Sequence, residues 1–374
     1  MNAATLAARP HSLTHRPSAW AGAALLLLAV VVPLAGGWLS PAEVWSAWLA
    51  ADWWCLGLVL GAVAAWCIQR LSGGQWGRIV GPAAAALAGR LPWLLLLLAP
   101  LLLALPALYP WAAADGGAWA RGLARPGFKL AWLSPAFFVA RAALYMLAAW
   151  WLARPAALAA MGQGRAALSL IAYLLLGSLA GVDVIGSLMP RWSSSVFGLL
   201  LLSAQLLSGL AACVLLMARA PRSPALERRE PGKPPVWRDM GNMLLMAILL
   251  WGYLAFMQFL IIWAENLPEE IAWYLPRLVT GWRFASVALV LLHLALPLVL
   301  LLWRSLKDRP QLLAPIAALI LAGNLLETAW LVVPSVAPHG WSALGLVPLQ
   351  ALGMGLLAFG GIRAIPLEAS DGPA

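Results

Sequence analysis

The chain has 374 residues, 63% hydrophobic and only 10% charged, with a net charge of +10 and a mean hydropathy of +0.86. A soluble domain carries about 25% charged residues, so this composition excludes a soluble globular protein and indicates a polytopic membrane protein. The excess of Lys and Arg is then loop charge that sets orientation in the bilayer, and not a nucleic-acid-binding surface.

Apolar runs fall at 18–37, 53–69, 92–112, 132–153, 166–189, 196–218, 243–264, 281–303, 311–334 and 341–362. They predict an all-α protein with about ten membrane-spanning helices, each near the ~20 residues needed to cross the hydrocarbon layer. The first run follows Arg9 and Arg16, as a secretory signal would. No convincing small-residue cleavage site precedes Trp38, so the run is expected to persist as a helix. The second run is short. The loop 71–78 after it (LSGGQWGR) is Gly-rich but has no GK[ST] ending and no preceding strand, which excludes a phosphate-binding loop. It reads as a tight turn leading into an interfacial segment. Further on, the 219–242 loop is basic and carries five prolines. It separates six spans (18–218) from four (243–364) and reads as a linker inside one integral domain, 18–364. Tails at 1–17 and 365–374 flank that domain.

Loop charge predicts the orientation. Seventeen Lys and Arg fall in the tails and loops on one side, against six on the other, with Arg141 inside a span. The richer side is expected to be cytoplasmic, with both termini there. The segment 265–277 then lies on the opposite, periplasmic side.

The sequence holds three Cys and four His. None of Cys55, Cys67 and Cys213 forms a CxxC or CxxCH motif, which argues against covalent haem and a cysteine-held iron–sulfur cluster. His11 and His15 lie in the N-terminal tail, and only His293 falls well inside a span. No haem or metal is therefore expected on this chain. No G-x-S-x-G or H-E-x-x-H motif suggests a hydrolase.

Ionisable residues inside spans are costly and are functional candidates. Here they are Arg141, Asp183, His293 and Glu327, with Gln205, Gln258 and Asn324 as neutral companions. From the run limits, Asp183 and Glu327 lie six or seven residues from the periplasmic ends of their helices, roughly 10 Å deep at 1.5 Å per residue. His293 is near mid-membrane, and Asn324 shares a helix face with Glu327. Asp183, His293, Asn324 and Glu327 form a candidate proton path or quinone contact. The competing reading is structural, with Asp183, Glu327 and Arg141 paired to neighbouring helices; Arg141 and Tyr145, one turn apart, favour it. In the segment 265–277, Glu265, Glu269, Glu270, Trp273, Tyr274 and Arg277 combine carboxylates with aromatics and Arg. These form a candidate partner-docking surface.

Several stretches carry a family resemblance. They are 258–277 (QFLIIWAENLPEEIAWYLPR), Gly281-Trp282 and 291–297 (LLHLALP), together with 72–77 (SGGQWG), 108–111 (LYPW), Asp183, Ser187-Leu188 and Pro190-x-Trp192. In this order the chain resembles the ActF membrane subunits of alternative complex III, of the NrfD/polysulfide-reductase membrane-subunit type. The resemblance implies two four-helix bundles with flanking helices. It also implies an integral subunit of a bacterial inner-membrane quinol-oxidising complex, anchoring partners and contributing a proton path. Haem and iron–sulfur centres would sit on partners: a multihaem cytochrome c, an iron–sulfur subunit and a further NrfD-like subunit. The family pattern around Asp183 reads roughly Asp-Trp-x-Met-Ser-Leu-Glu-Pro-His-Trp. Val184, Met189 and Arg191 replace its Trp, Glu and His, which removes two protonatable groups. A quinone-binding subunit of another NrfD-type oxidoreductase and a free-standing transporter are the alternatives; no internal repeat supports the transporter.

Overall fold

A computed structural model describes residues 16–113, 118–121, 123, 126–220 and 232–362. The 365–374 tail, residues 1–15 of the N-terminal tail and the 221–231 part of the linker lie outside the described residues. Among the described residues there is no strand. In chain order the α-helices are α1 (Arg16–Ala35), α2 (Pro41–Ser72), α3 (Gly77–Ala88), α4 (Leu91–Leu97), α5 (Ala99–Leu103), α6 (Leu105–Leu108), α7 (Pro126–Trp132), α8 (Pro135–Ala153), α9 (Pro155–Ala159) and α10 (Gln163–Val184). They continue with α11 (Phe197–Ala218), α12 (Val236–Glu265), α13 (Pro268–Ile271), α14 (Leu275–Leu278), α15 (Trp282–Ala288), α16 (Leu296–Leu302), α17 (Arg304–Lys307), α18 (Pro310–Val336) and α19 (Leu346–Phe359). A π-helical segment, Leu289–Ala295, joins α15 to α16. Nine helices among the described residues are long and apolar enough to cross a membrane. The count is ten when α3 and the stretch Leu91–Leu103, bent by 46°, form one span. The protein is thus an all-α polytopic membrane protein with about ten spans.

The second span differs most from the sequence expectation. Its helix runs 32 residues, from Pro41, and not from 53. A capping box fixes this early start: Ser40 Oγ accepts from the Glu43 amide at 3.3 Å, and Glu43 Oε2 accepts from the Ser40 amide at 2.8 Å. Polar Glu43, Ser46 and Asp52 hid this first part from a hydropathy reading. At 1.5 Å per residue the helix is roughly 48 Å long and overreaches the hydrocarbon layer. At its other end Gly73 and Gly74, with φ of 74° and 98°, make the turn that glycine permits. The following α3, in the segment expected after the tight turn, buries Ile79, Val80, Ala83, Ala84 and Leu87 where it packs against α2 and α11. The third span is broken into α4, α5 and α6 at Leu98 and Ala104. Pro92, Pro100 and Pro106 each stand near a segment start, where a missing amide is tolerated.

Two four-helix bundles share a joint. The first is made of α2, the broken α3–α6 span, α8 and α10; the second, of α11, α12, the α15–α16 span and α18. The first and last spans, α1 and α19, pack on each other outside the bundles, where an added Cβ at Gly22 would lie 2.6 Å from the Gly353 carbonyl oxygen. The joint is the α2–α11 contact. An added Cβ on Gly61 would fall 1.7 Å from the Gln205 carbonyl oxygen, and one on Gly209 would fall 2.1 Å from the Ala62 nitrogen. Gly57 lies against the Gln205 side chain in the same way. Small residues four apart bring helix backbones together in lipid, where packing replaces hydrophobic driving force.

Two loop faces result. On the upper face Glu43 meets Ser342, Lys129 meets the Pro190 carbonyl and Arg277 meets Ser335. On the lower face Arg238 makes a two-pronged ion pair with Asp308 at 2.6 Å, and Gln75 Nε2 donates to Asp239 at 2.9 Å.

If the glycine joint holds the bundles together, Gly61→Ala is expected to lower thermal stability in detergent, by about 1–3 kcal/mol as overpacking does. Gly355→Ala, at a helical position with open space around it, is the control and is expected to leave the melting temperature unchanged or slightly raised. Equal melting of both variants removes the joint from this role.

Candidate functional site

Among the described residues Asp52 and Asp183 are buried in the first bundle and Glu327 in the second, and Asp183 and Glu327, the two with hydrogen-bond partners, are held differently. In the first, Asp183 stands in the last turn of α10, not six residues inside the helix as the run limits suggested. The helix stops at Val184 because side chains take over its free carbonyls: Ser187 Oγ donates to the Asp183 carbonyl, and Tyr109 OH donates to that of Val184 at 2.9 Å. The Asp183 carboxylate accepts from Arg141 Nε at 2.7 Å, Tyr145 OH at 2.6 Å and Trp132 Nε1 at 2.8 Å. Arg141 lies 4.1 Å from the Trp132 ring centroid and also donates to the Trp132 carbonyl. This is a buried ion pair whose negative charge is matched by a guanidinium, although Arg141 Nη2 has no hydrogen-bond partner.

In the second bundle Glu327 faces neutral donors. Trp251 Nε1 of α12 donates to its Oε1 at 2.6 Å, and Asn324 Nδ2, one turn earlier on α18, donates to Oε2 at 2.9 Å. His293 Nε2 lies 3.7 Å from Oε2, within ion-pair reach but too far for a hydrogen bond. Neither ring nitrogen of His293 has a hydrogen-bond partner. Its imidazole packs edge-on against Trp251, centroids 4.5 Å apart. Two features bring His293 to α18. The π segment adds a residue to the local turn. Gly323 leaves room for the ring, since a Cβ there would lie 2.3 Å from His293 Nδ1. Among the described residues, His293 is the one ionisable partner of Glu327.

Above Glu327, Arg277 closes the upper face. Pro334 cannot donate to the Trp330 carbonyl, and Arg277 Nε takes that acceptor at 3.0 Å. The guanidinium also donates to the carbonyls of Trp273 and Leu331 and to Ser335 Oγ. It stacks 3.7 Å from the Trp273 ring centroid, and Trp273 stacks in turn on Trp192 at 4.2 Å. Burial pushes the Arg277 guanidinium down to about 9, which leaves it charged at neutral pH. The expected docking surface is corrected here. Trp273, Tyr274 and Arg277 face inward and are buried by the chain itself, because the guanidinium bonds the upper end of α18 and the indoles stack around it. Glu265 and Glu269 are exposed and Glu270 is half-buried.

A cavity of about 220 Å³ runs through the first bundle, lined from Phe138 to Leu152 along α8, a length of roughly 21 Å. Its walls are apolar except for Tyr109, Tyr145, Tyr173 and Gln205. A second void, of about 10 Å³, lies between the bundles beside Gln205, Asn324, Glu327 and Thr328.

Of the four residues expected on one path, His293, Asn324 and Glu327 are gathered in the second bundle. Asp183 stands in the first, and among the described residues its hydrogen-bond partners are Arg141, Tyr145 and Trp132, none of which belongs to that group. Sequence reasoning missed Trp132, Trp251 and the role of Tyr145. It also missed Asp52, which is fully buried with no hydrogen-bond partner on either carboxylate oxygen. Starting the second span at 53 left Asp52 outside the membrane list. Among the described residues, no three His, Cys, Asp or Glu side chains gather as a metal site requires. No protein-family model matches the chain, and no curated protein matches it.

Removing the Asp183 charge strands Arg141. Asp183→Asn is therefore expected to cost about 3 kcal/mol or more of stability, with part restored by adding Arg141→Met. Thermal melting in detergent reads both; wild-type melting of Asp183→Asn would show that the pair does not clamp α8 to α10.

Proposed function

We propose that the chain is an integral subunit of a bacterial inner-membrane quinol-oxidising complex of the alternative complex III type. In it the subunit anchors partners in the bilayer and holds an exchangeable proton at Glu327 and His293. The observation that supports proton handling is the neutral setting of Glu327. A buried carboxylate without a fixed cation is expensive. Beside an imidazole, two arrangements without net charge are open: a neutral acid with a neutral imidazole, or a carboxylate with an imidazolium. They differ by the position of one proton across the 3.7 Å gap. Asp183 has no such freedom, since Arg141 is always charged.

The partners in this reading are an iron–sulfur subunit, a multihaem cytochrome c and a further NrfD-like subunit; the chain carries no haem or metal of its own. The loop charge supports placing the upper face in the periplasm and both termini in the cytoplasm. Exposed Glu265 and Glu269 then belong to the periplasmic side, where a cytochrome partner would dock. A second reading, a quinone-binding subunit of another NrfD-type oxidoreductase, is favoured by the long apolar cavity and the Tyr145 hydroxyl in its wall. Quinone co-purifying with the isolated chain, and lost in Tyr145→Phe, would select it.

Mild-detergent purification of the tagged chain is expected to recover the haem and iron–sulfur partners; recovery of the chain alone from intact membranes counts against the complex. In reconstituted vesicles Glu327→Gln is expected to reduce proton translocation strongly with assembly intact, because the Gln oxygen still accepts from Trp251, its amide donates to Asn324 once that amide turns its oxygen inward, and Gln cannot titrate. Wild-type coupling in that variant ends the proton-handling reading. Single cysteines at Gly232 and Glu269 are expected to label from opposite sides of the membrane, Glu269 from the periplasm. Labelling from one side refutes the topology.

A further inference from the structure

The glycine joint between the bundles is also where their two internal spaces approach each other. Trp53 and Gln205 line both the long cavity of the first bundle and the small void beside Glu327. Gln205 is 5% exposed. Its Oε1 accepts from Tyr173 OH at 2.9 Å, and Tyr173 is a wall residue of the long cavity. That bond fixes the amide, so its Nε2–H₂ group is left to donate elsewhere. Gly57 and Gly61 of α2 press directly on Gln205, which limits its movement. The void offers space of about one water molecule and a set of polar groups to bind it: Gln205, Asn324, Glu327 and Thr328. Thr328 already donates to the Leu325 carbonyl, and Asn324 donates to Glu327, so the side-chain oxygen of each is left to accept.

We propose that this void holds one water molecule, positioned by Gln205, through which the Glu327 carboxyl exchanges protons with the long cavity of the first bundle. The proposal rests on Glu327 carrying an exchangeable proton. In each exchange the water gives one proton to Glu327 and receives one from water, or from a hydroxyl-bearing occupant, in the long cavity; the reverse step returns it, and no electron moves. Gln205 is a positioning residue, since its amide orients the water and does not itself titrate. Trp53 forms the apolar wall that keeps the passage narrow.

The test is infrared spectroscopy of the full chain in bilayers transferred to D₂O, following the carboxylic C=O band assigned to Glu327 by its loss in Glu327→Gln. Gln205→Leu keeps the volume and removes the polar contact. It is expected to slow deuterium exchange of that band by about tenfold, as the loss of one hydrogen bond near 1.4 kcal/mol in a transition state does. Tyr173→Phe leaves Gln205 and the glycine contacts in place, is expected to slow exchange to a smaller extent, and serves alone if Gln205→Leu does not fold. Exchange at the wild-type rate in the folded variants overturns the link while leaving Glu327 as a proton holder. If wild type shows no Glu327 band at any pH, the proton-holding reading itself fails, and the link with it.

Discussion

The packing depends on one close approach, that of the α2 and α11 backbones at Gly57, Gly61 and Gly209. In lipid, two helices gain nothing from hiding apolar side chains, because the acyl chains are equally apolar. What remains is dispersion at short range and the satisfaction of polar groups. Removing Cβ atoms at the crossing supplies the first, since an added Cβ on Gly61 would fall 1.7 Å from a carbonyl oxygen. Because α2 and α11 belong to different bundles, this contact fixes the bundles relative to each other. It also carries α18 with it, which packs on both helices and receives the Trp54 indole N–H on the Leu321 carbonyl at 3.2 Å. The Glu327 site is therefore built on a three-helix core.

The second constraint is that backbone groups freed inside the membrane need partners. Proline appears where it creates such needs, and long polar side chains meet them. The Trp330 carbonyl, unpaired because of Pro334, accepts from Arg277. The Leu97 carbonyl, at the break before α5, accepts from Trp48 at 2.9 Å. Arg191 donates to the carbonyls of Trp119 and Arg121 and so staples a loop.

Hydropathy made the helical class and the number of spans legible in the sequence, because each run is long and the composition is extreme. Boundaries failed where polar residues stand inside a helix. Asp52, Glu43 and Ser46 moved the apparent start of α2 by about three turns, and with it Asp52 was lost from the list of buried acids. The chemistry of the site was legible only as residue types. That His293, Asn324 and Glu327 meet depends on the π segment and on Gly323, neither of which leaves a periodic signal. The partnership of Arg141 and Asp183 spans 42 positions, and nothing local announces it. Trp273 and Arg277 had the composition of an interface core, and they do form one, but within the chain, since burial by a partner and burial by a neighbouring helix select the same residues.

The contrast between the two carboxylates then follows from their neighbours and not from their depth. Asp183 accepts from a guanidinium, a phenol and an indole, and its charge is balanced at the site. Such a group ties a helix end to its neighbours. Glu327 has an indole, an amide and an imidazole held just beyond hydrogen-bond length. Among the described residues its one ionisable neighbour is His293. Arg277, above it on the upper face, spends its donors on three carbonyls and a hydroxyl, with its guanidinium against the Trp273 and Trp330 rings. An Arg turned instead toward Glu327 would convert the second bundle's acid into a copy of the first, a carboxylate clamped by a fixed cation.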